Sequence, residues 1–323
     1  MIEPPTDREA RLPHALRRAD LLRAWLATSA LFLSGLLLPF GGPVLMLLTP
    51  QPGLRFGQRS TMRPLALLVA LVAVTTGIVG GREVAVAYLV SFGLLTVALP
   101  GVLRREWSIE VTVGLATAAI TAALVGVALA VASPAELLAG LYAVLDQVRE
   151  EALSIYSRAG LTPEVVRDLR DGSLRIIDVV ARLTPALMMT TIAAAVLINL
   201  ALLRSRQRVL GEAPVFGDLT RWKCPAELVW LLIASGYGTF LPAGPLQTVA
   251  LNLFAVVAAV YFCQGLVIAQ FYLRQWHSPI WVSGLVYLFI AVEWLLATGV
   301  TLVGVFDQWA DFRRLKPRAV EED

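Results

Sequence analysis

Leu246 to Leu273 reads LQTVALNLFAVVAAVYFCQGLVIAQFYL, 28 residues without one Asp, Glu, Lys or Arg. At about 1.5 Å per residue, a helix of that length outreaches the roughly 30 Å hydrocarbon core of a bilayer. Similar apolar runs lie near 21–38, 64–81, 83–101, 108–132, 183–203, 226–243 and 279–305. Of 323 residues, 57% are hydrophobic and 16% charged, and the mean hydropathy is +0.71. That is more apolar surface than a soluble fold of this size can bury. Lipid offers no partner to a free backbone N–H or C=O, so the spans are expected to be helices. The predicted fold class is all-α: a polytopic integral membrane bundle of about eight or nine transmembrane helices.

Charge placement divides the chain further. Residues 1–20 form a polar segment with Arg8, Arg11, Arg17 and Arg18, which reads as cytoplasmic. It has no early apolar region with a small-residue cleavage site, so the first span is expected to stay as an anchor. Residues 21–132 hold the N-terminal membrane helices and 183–305 the C-terminal ones, with a basic tail at 306–323. Arg55, Arg59 and Arg63, then Arg104 and Arg105, then Arg204, Arg206, Arg208, Arg221 and Lys223 mark successive cytoplasmic turns. This alternation needs 43–53, broken by Pro50 and Pro52, to cross as a half-helix. Three simple crossings after 226 would leave the tail carrying Arg313, Arg314, Lys316 and Arg318 outside; one arrangement that brings it inside makes 279–305 a bent pair of short helices around Glu293 and Gly299.

Between the two membrane blocks, 133–182 reads as extracytoplasmic and helical. Ser133-Pro134 supplies an N-cap and a proline at the first helical position. Leu137, Leu141, Val144 and Val148 recur at helical spacing, opposite Asp146, Glu150 and Glu151, which predicts an amphipathic helix. Gly160 should stop it, and Thr162-Pro163-Glu164 should open a shorter helix ending at Asp171-Gly172. Six Arg face eight Asp and Glu here, so no polyanionic ligand is indicated.

Polar residues inside apolar runs are the candidate site residues, because the bilayer makes them costly. Glu293 falls in the middle of the last run. Asn199, Asn252, Gln247, Gln264 and Gln270 stand on 183–203 and 246–273, where amides either tie helices together or line a pocket. Pro100 and Pro185 are positioned to kink their helices. Asp178 and Arg182, four apart, are expected to form a structural pair.

No catalytic residue, metal site or cofactor is expected. Cys224 and Cys263 give no disulfide framework, and His14 and His277 no histidine-based metal site. Phosphate-loop, zinc-protease and nucleophile-elbow motifs are absent from the sequence. A pI near 9.1 reflects basic helix ends rather than a nucleic-acid surface.

Several strings in the C-terminal half are similar to the YybS-like family of bacterial inner-membrane proteins, a family without an assigned function. They are Leu183-Thr184-Pro185-Ala186-Leu187 with Asn199, then Arg221-Trp222-Lys223-Cys224-Pro225 with Trp230. Asn252 with Tyr261-Phe262-Cys263-Gln264-Gly265 follows, and then Gly304-Val305-Phe306-Asp307-Gln308-Trp309-Ala310-Asp311-Phe312-Arg313. That family's N-terminal part resembles the substrate-binding S components of energy-coupling-factor transporters and the cell-shape protein MreD. The resemblance implies a small-molecule site and coupling to a membrane partner through small residues on the first helix. Here that helix offers Ala24, Ala27, Ala30, Ser34 and Gly35, without a clean Ala-x-x-x-Ala repeat.

The expected function is therefore a non-enzymatic, S-component-like subunit of the bacterial inner membrane that binds a small or lipidic solute. Glu293, Asn252, Gln264 and Asn199 are its candidate ligand contacts. The alternative is an envelope scaffold that docks a membrane partner through 134–170. The partners expected are the lipid bilayer, a membrane protein and a small-molecule or lipid ligand, with no nucleic acid.

Overall fold

The computed structural model describes residues 14–38, 42–103, 107–211 and 216–314. The basic positions Arg8, Arg11, Arg104, Arg105, Lys316 and Arg318 lie outside them. Every regular element among the described residues is a helix: α1 (His14–Leu37), α2 (Gly42–Leu48), α3 (Pro50–Arg59), α4 (Met62–Gly80), α5 (Arg82–Tyr88), α6 (Leu94–Leu103), α7 (Ile109–Val131), α8 (Pro134–Arg158), α9 (Pro163–Val209), α10 (Leu228–Gly238), α11 (Pro245–Gln275), α12 (Ile280–Val292) and α13 (Trp294–Ala310). A π-helical turn, Leu89–Gly93, joins α5 to α6. The chain divides into two units. One is Met1–Val131 with Thr191–Phe216; the other is Ala132–Thr190 with Gly217–Asp323.

Six described helices are long and apolar enough to cross a membrane, or seven spans if a bent pair counts as one. This is fewer than the eight or nine expected, and the shortfall lies at two places. Residues 43–53 split at Thr49 between α2 and α3, of 7 and 10 residues, and neither covers a bilayer. Run 226–243 yields only the 11 residues of α10, about 16 Å. Turn residues take up the rest, before Gly244-Pro245 opens α11. Run 279–305 is a bent pair, as the tail's charge called for: it breaks at Glu293 into α12 and α13, whose axes bend by 102°. Gly299 lies inside α13 and interrupts nothing.

Segment 133–182 also differs from expectation. Ser133 caps α8 with a reciprocal Glu136 bond, and Gly160, at φ 86°, terminates it. Asp171-Gly172 ends nothing: α9 runs 47 residues through both positions. A mid-helix glycine costs only about 1 kcal/mol relative to alanine. Gly172 is not among the positive-φ residues, so the chain does not turn there. The apolar pattern of α8 also divides in two. Leu137, Leu141, Leu145 and Leu153 are at least partly buried, whereas Leu138, Val144, Val148 and Ile155 are exposed.

In the first unit, Phe32 of α1 meets Tyr88 and Phe92 edge-on, with centroids 5.3 and 5.9 Å away. Leu65, Leu68 and Val72 of α4 complete that core. A second core joins Leu54 of α3, Leu95 and Leu99 of α6, Ala116 and Ile120 of α7, and Val196 and Leu200 of α9. In the second unit, α10 packs on α11 and α13 crosses α11. The α11–α13 crossing is backbone on backbone. A Cβ on Gly265 would collide with the Val300 carbonyl, and one on Gly304 with the Tyr261 carbonyl.

Candidate functional site

Asn252 illustrates how this fold uses its membrane amides. Its Oδ1 accepts from the Ala186 N–H at 2.9 Å, and its Nδ2 donates to the Arg182 carbonyl at 2.8 Å. Those groups are four residues apart and bracket Pro185, which has no N–H of its own. The side chain of α11 is thus stitched into one rung of α9 where proline weakens the ladder. Beside it, Arg182 lies 2.9 Å from Asp178 and reaches Gln247 at 3.4 Å, while the Tyr142 hydroxyl donates to Asp178 at 3.2 Å.

Gln264 is fully buried twelve positions along α11, about 18 Å from Asn252 by helical rise, so the two share no pocket. Its Oε1 accepts from the Cys224 N–H at 3.0 Å and its Nε2 donates to Asp307 Oδ2 at 2.9 Å. Asp307 is the centre of a network that sequence reasoning did not assemble. Arg313 pairs with the same oxygen at 2.8 Å, both side chains having zero exposure. Arg313 Nη1 donates to the carbonyls of Thr220 and Trp222 at 2.8 and 2.7 Å. Asp307 Oδ1 accepts from the Phe312 N–H, and Lys223 Nζ donates to the Asp307 carbonyl. Gln308 closes the ring onto the carbonyl and sulfur of Cys224. Burial pushes the Cys224 thiol up, away from thiolate chemistry. The arrangement fastens the loop before α10 to the end of α13. The available signal was an Asp inside an apolar run, which needs a partner, followed six residues later by an Arg.

Asn199 belongs to the first unit. Its Nδ2 donates to the Leu47 carbonyl at 2.8 Å, and Gln51 Nε2 donates to its carbonyl and Oδ1 at 2.8 and 2.9 Å. Gln51 is a partner the sequence reading overlooked, because it sits in a segment too short and polar to read as a span. Glu293 differs from the three amides. It is exposed at the α12–α13 break, with φ −95° and ψ 108°, and its carboxylate bonds to no described residue. Only its backbone is engaged, with Phe289 and Ala297.

Two further features belong to the second unit. The α8 helix and the start of α9 form an antiparallel hairpin, tied by Tyr142–Asp178 and by Arg170–Glu150 at 2.8 Å. A cleft of about 530 Å³ opens between the ends of α11 and α13, lined by Phe271, Tyr272, Gln275, Asp311, Phe312 and Arg314 among others. Asp311 and Arg314 there have positive φ, 41° and 50°.

Long apolar helices joined by buried amide ties define a multi-pass helical membrane protein. Residues 26–308 match the DUF2232 family, described as a predicted membrane protein, and the chain belongs to that family. No curated protein and no solved structure matches it.

Proposed function

We propose that the protein is a non-catalytic component of a membrane assembly, docked to an integral membrane partner through residues 134–170. The α8 surface carries the reading. Val144, Val148 and Ile155 share one face and are 58–59% exposed on a helix too polar to count among the spans. An apolar stripe on such a helix calls for a cover. The amides at Asn199, Asn252 and Gln264 act in this view as helix ties, which suits a rigid scaffold. A bacterial inner-membrane location with a cytoplasmic N-terminus follows from the basic turns. The YybS-like and S-component resemblances agree with a subunit role. Gentle purification of the parent protein should recover a stoichiometric membrane partner. Val144→Asp/Val148→Asp should lose that partner with melting unchanged; a parent that purifies alone would overturn the reading.

A second reading, an S-component-like solute-binding subunit, is favoured by one specific observation. In the 21–132 block, the hydroxyls of Thr28, Ser29, Tyr88, Thr112, Thr117 and Thr121 are buried without a partner. Buried polar groups are ordinarily satisfied, by water or a guest when the chain supplies nothing. Native mass spectrometry tests it: a retained small molecule, weakened by Tyr88→Phe, supports it, and a ligand-free parent spectrum removes it.

A further inference from the structure

We propose that Glu293 is the docking point for a lysine or arginine on a transmembrane helix of a partner protein. Its depth carries the inference. The run 246–273 ends at Arg274, with Trp276 exposed just beyond, so this end of α11 stands at a membrane boundary. Helix α12 opens at Ile280, five residues after α11 ends at Gln275. Helix α13 returns to the same end, where the Tyr272 hydroxyl donates to the Phe312 carbonyl at 2.9 Å. The pair therefore enters and leaves on one side, as a re-entrant chevron with Glu293 at its apex. Gly265, which meets Val300 where α11 and α13 cross, lies ten residues, about 15 Å, inside that boundary. Glu293 precedes Val300 on a helix heading for the boundary, so it stands at least as deep. The 13 residues of α12 limit its depth to about 20 Å. Those two bounds put the carboxylate near the middle of a hydrocarbon core of roughly 30 Å.

Phe289, Val292, Trp294 and Leu295 around it are 60–75% exposed, and among the described residues α12 packs substantially on α13 alone. Lipid covers those apolar side chains but offers a carboxylate nothing, and ionisable groups at such depth pair with one another. A glutamate stem is too short to reach a surface about 15 Å away. The helices around Glu293 supply no cation: residues 228–273 and 280–310 hold no Lys or Arg. A second copy of the chain is no better supplied. Arg23, near the end of 21–38, is the one Lys or Arg inside any of the apolar runs. The complementary charge therefore belongs to another protein. This names the chemistry of the membrane partner, and it rests on the α8 reading only for that partner's existence.

The test is photo-crosslinking of the full chain in intact membranes, from a benzophenone amino acid in place of Leu295. It should capture one integral membrane protein with a Lys or Arg inside an apolar span. Glu293→Lys should cut that adduct about tenfold or more, because like charges then face each other in a desolvated contact. Glu in place of the partner's cation should restore it. Glu293→Leu should cut the adduct likewise and leave the melting of the purified chain unchanged, since this side chain holds nothing of its own fold. Adducts only with lipid, with a second copy or with a protein lacking an intramembrane cation would overturn the inference, as would a charge swap that restores nothing. In that event a partner lost with Val144→Asp/Val148→Asp still leaves the α8 reading standing. Capture from position 295 that survives those two changes rejects the α8 reading alone.

Discussion

Replacing Arg313 by Met removes the cation from a pair in which neither side chain touches solvent. Asp307 would keep the Gln264 and Phe312 donors but lose its counter-charge, and the Thr220 and Trp222 carbonyls would lose their donor. Breaking one partner of a buried pair costs about 3–5 kcal/mol, because it strands a charge in a medium of low dielectric. In unfolding equilibria that is roughly two to three and a half powers of ten. Asp307→Leu should cost a similar amount by stranding the guanidinium. The double variant has no stranded charge, only neutral groups short of partners at about 1–3 kcal/mol each. Its loss should fall short of the summed single losses by roughly 2 kcal/mol or more. Reversible unfolding in mixed micelles, titrated with sodium dodecyl sulfate, measures all four corners of the cycle. Single losses under about 1 kcal/mol, or additivity within about 0.5 kcal/mol, would refute the network as the fastener of this loop.

Gly304→Ala and Gly265→Ala should each lower the melting temperature markedly, since the new Cβ meets backbone carbonyls that cannot step aside. The cost should reach or exceed the roughly 1–3 kcal/mol of ordinary overpacking. Gly284→Ala, in open space on α12, is the control and should be neutral or slightly stabilising. Asn252→Leu should cost about 1–2 kcal/mol in the same unfolding assay, by releasing the rung of α9 at Pro185; such bonds average below 1 kcal/mol each in bilayers. The Glu136 carboxyl is held below its ordinary value of 4.5 by the Ser133 N–H and hydroxyl. A depressed carboxyl contributes stability above its unfolded pKa and loses it as pH falls through the lowered value. Protection of the first turn of α8 against amide exchange should therefore decline on acidification from about pH 5 downward. Glu136→Gln should flatten that decline.

Much of the helical framework is legible from residue order. Runs 64–81, 108–132 and 246–273 become Met62–Gly80, Ile109–Val131 and Pro245–Gln275, because an uninterrupted apolar run has one low-energy form in lipid. The Ser133 cap and the Gly160 stop are equally local, each set by one side chain or one positive φ. The Gly172 stop fails because a glycine permits a turn without requiring one. Span counting fails where a run is long enough on paper but shared between a helix and a turn, as at 226–243.

Composition and spacing determined the solvent of this chain, the position of its long helices and which polar residues would need partners. Those follow from short-range terms: hydrophobic length, backbone satisfaction and capping. Only the tertiary structure decided who the partners are. Asn252 could have faced a pocket or a neighbouring backbone with the same sequence around it, and Arg313 could have remained a basic residue in a tail. A hydrogen bond or ion pair depends on the position of both members to a fraction of an ångström. Positions 307 and 313, or 51 and 199, acquire that geometry from helix crossings that no local pattern encodes.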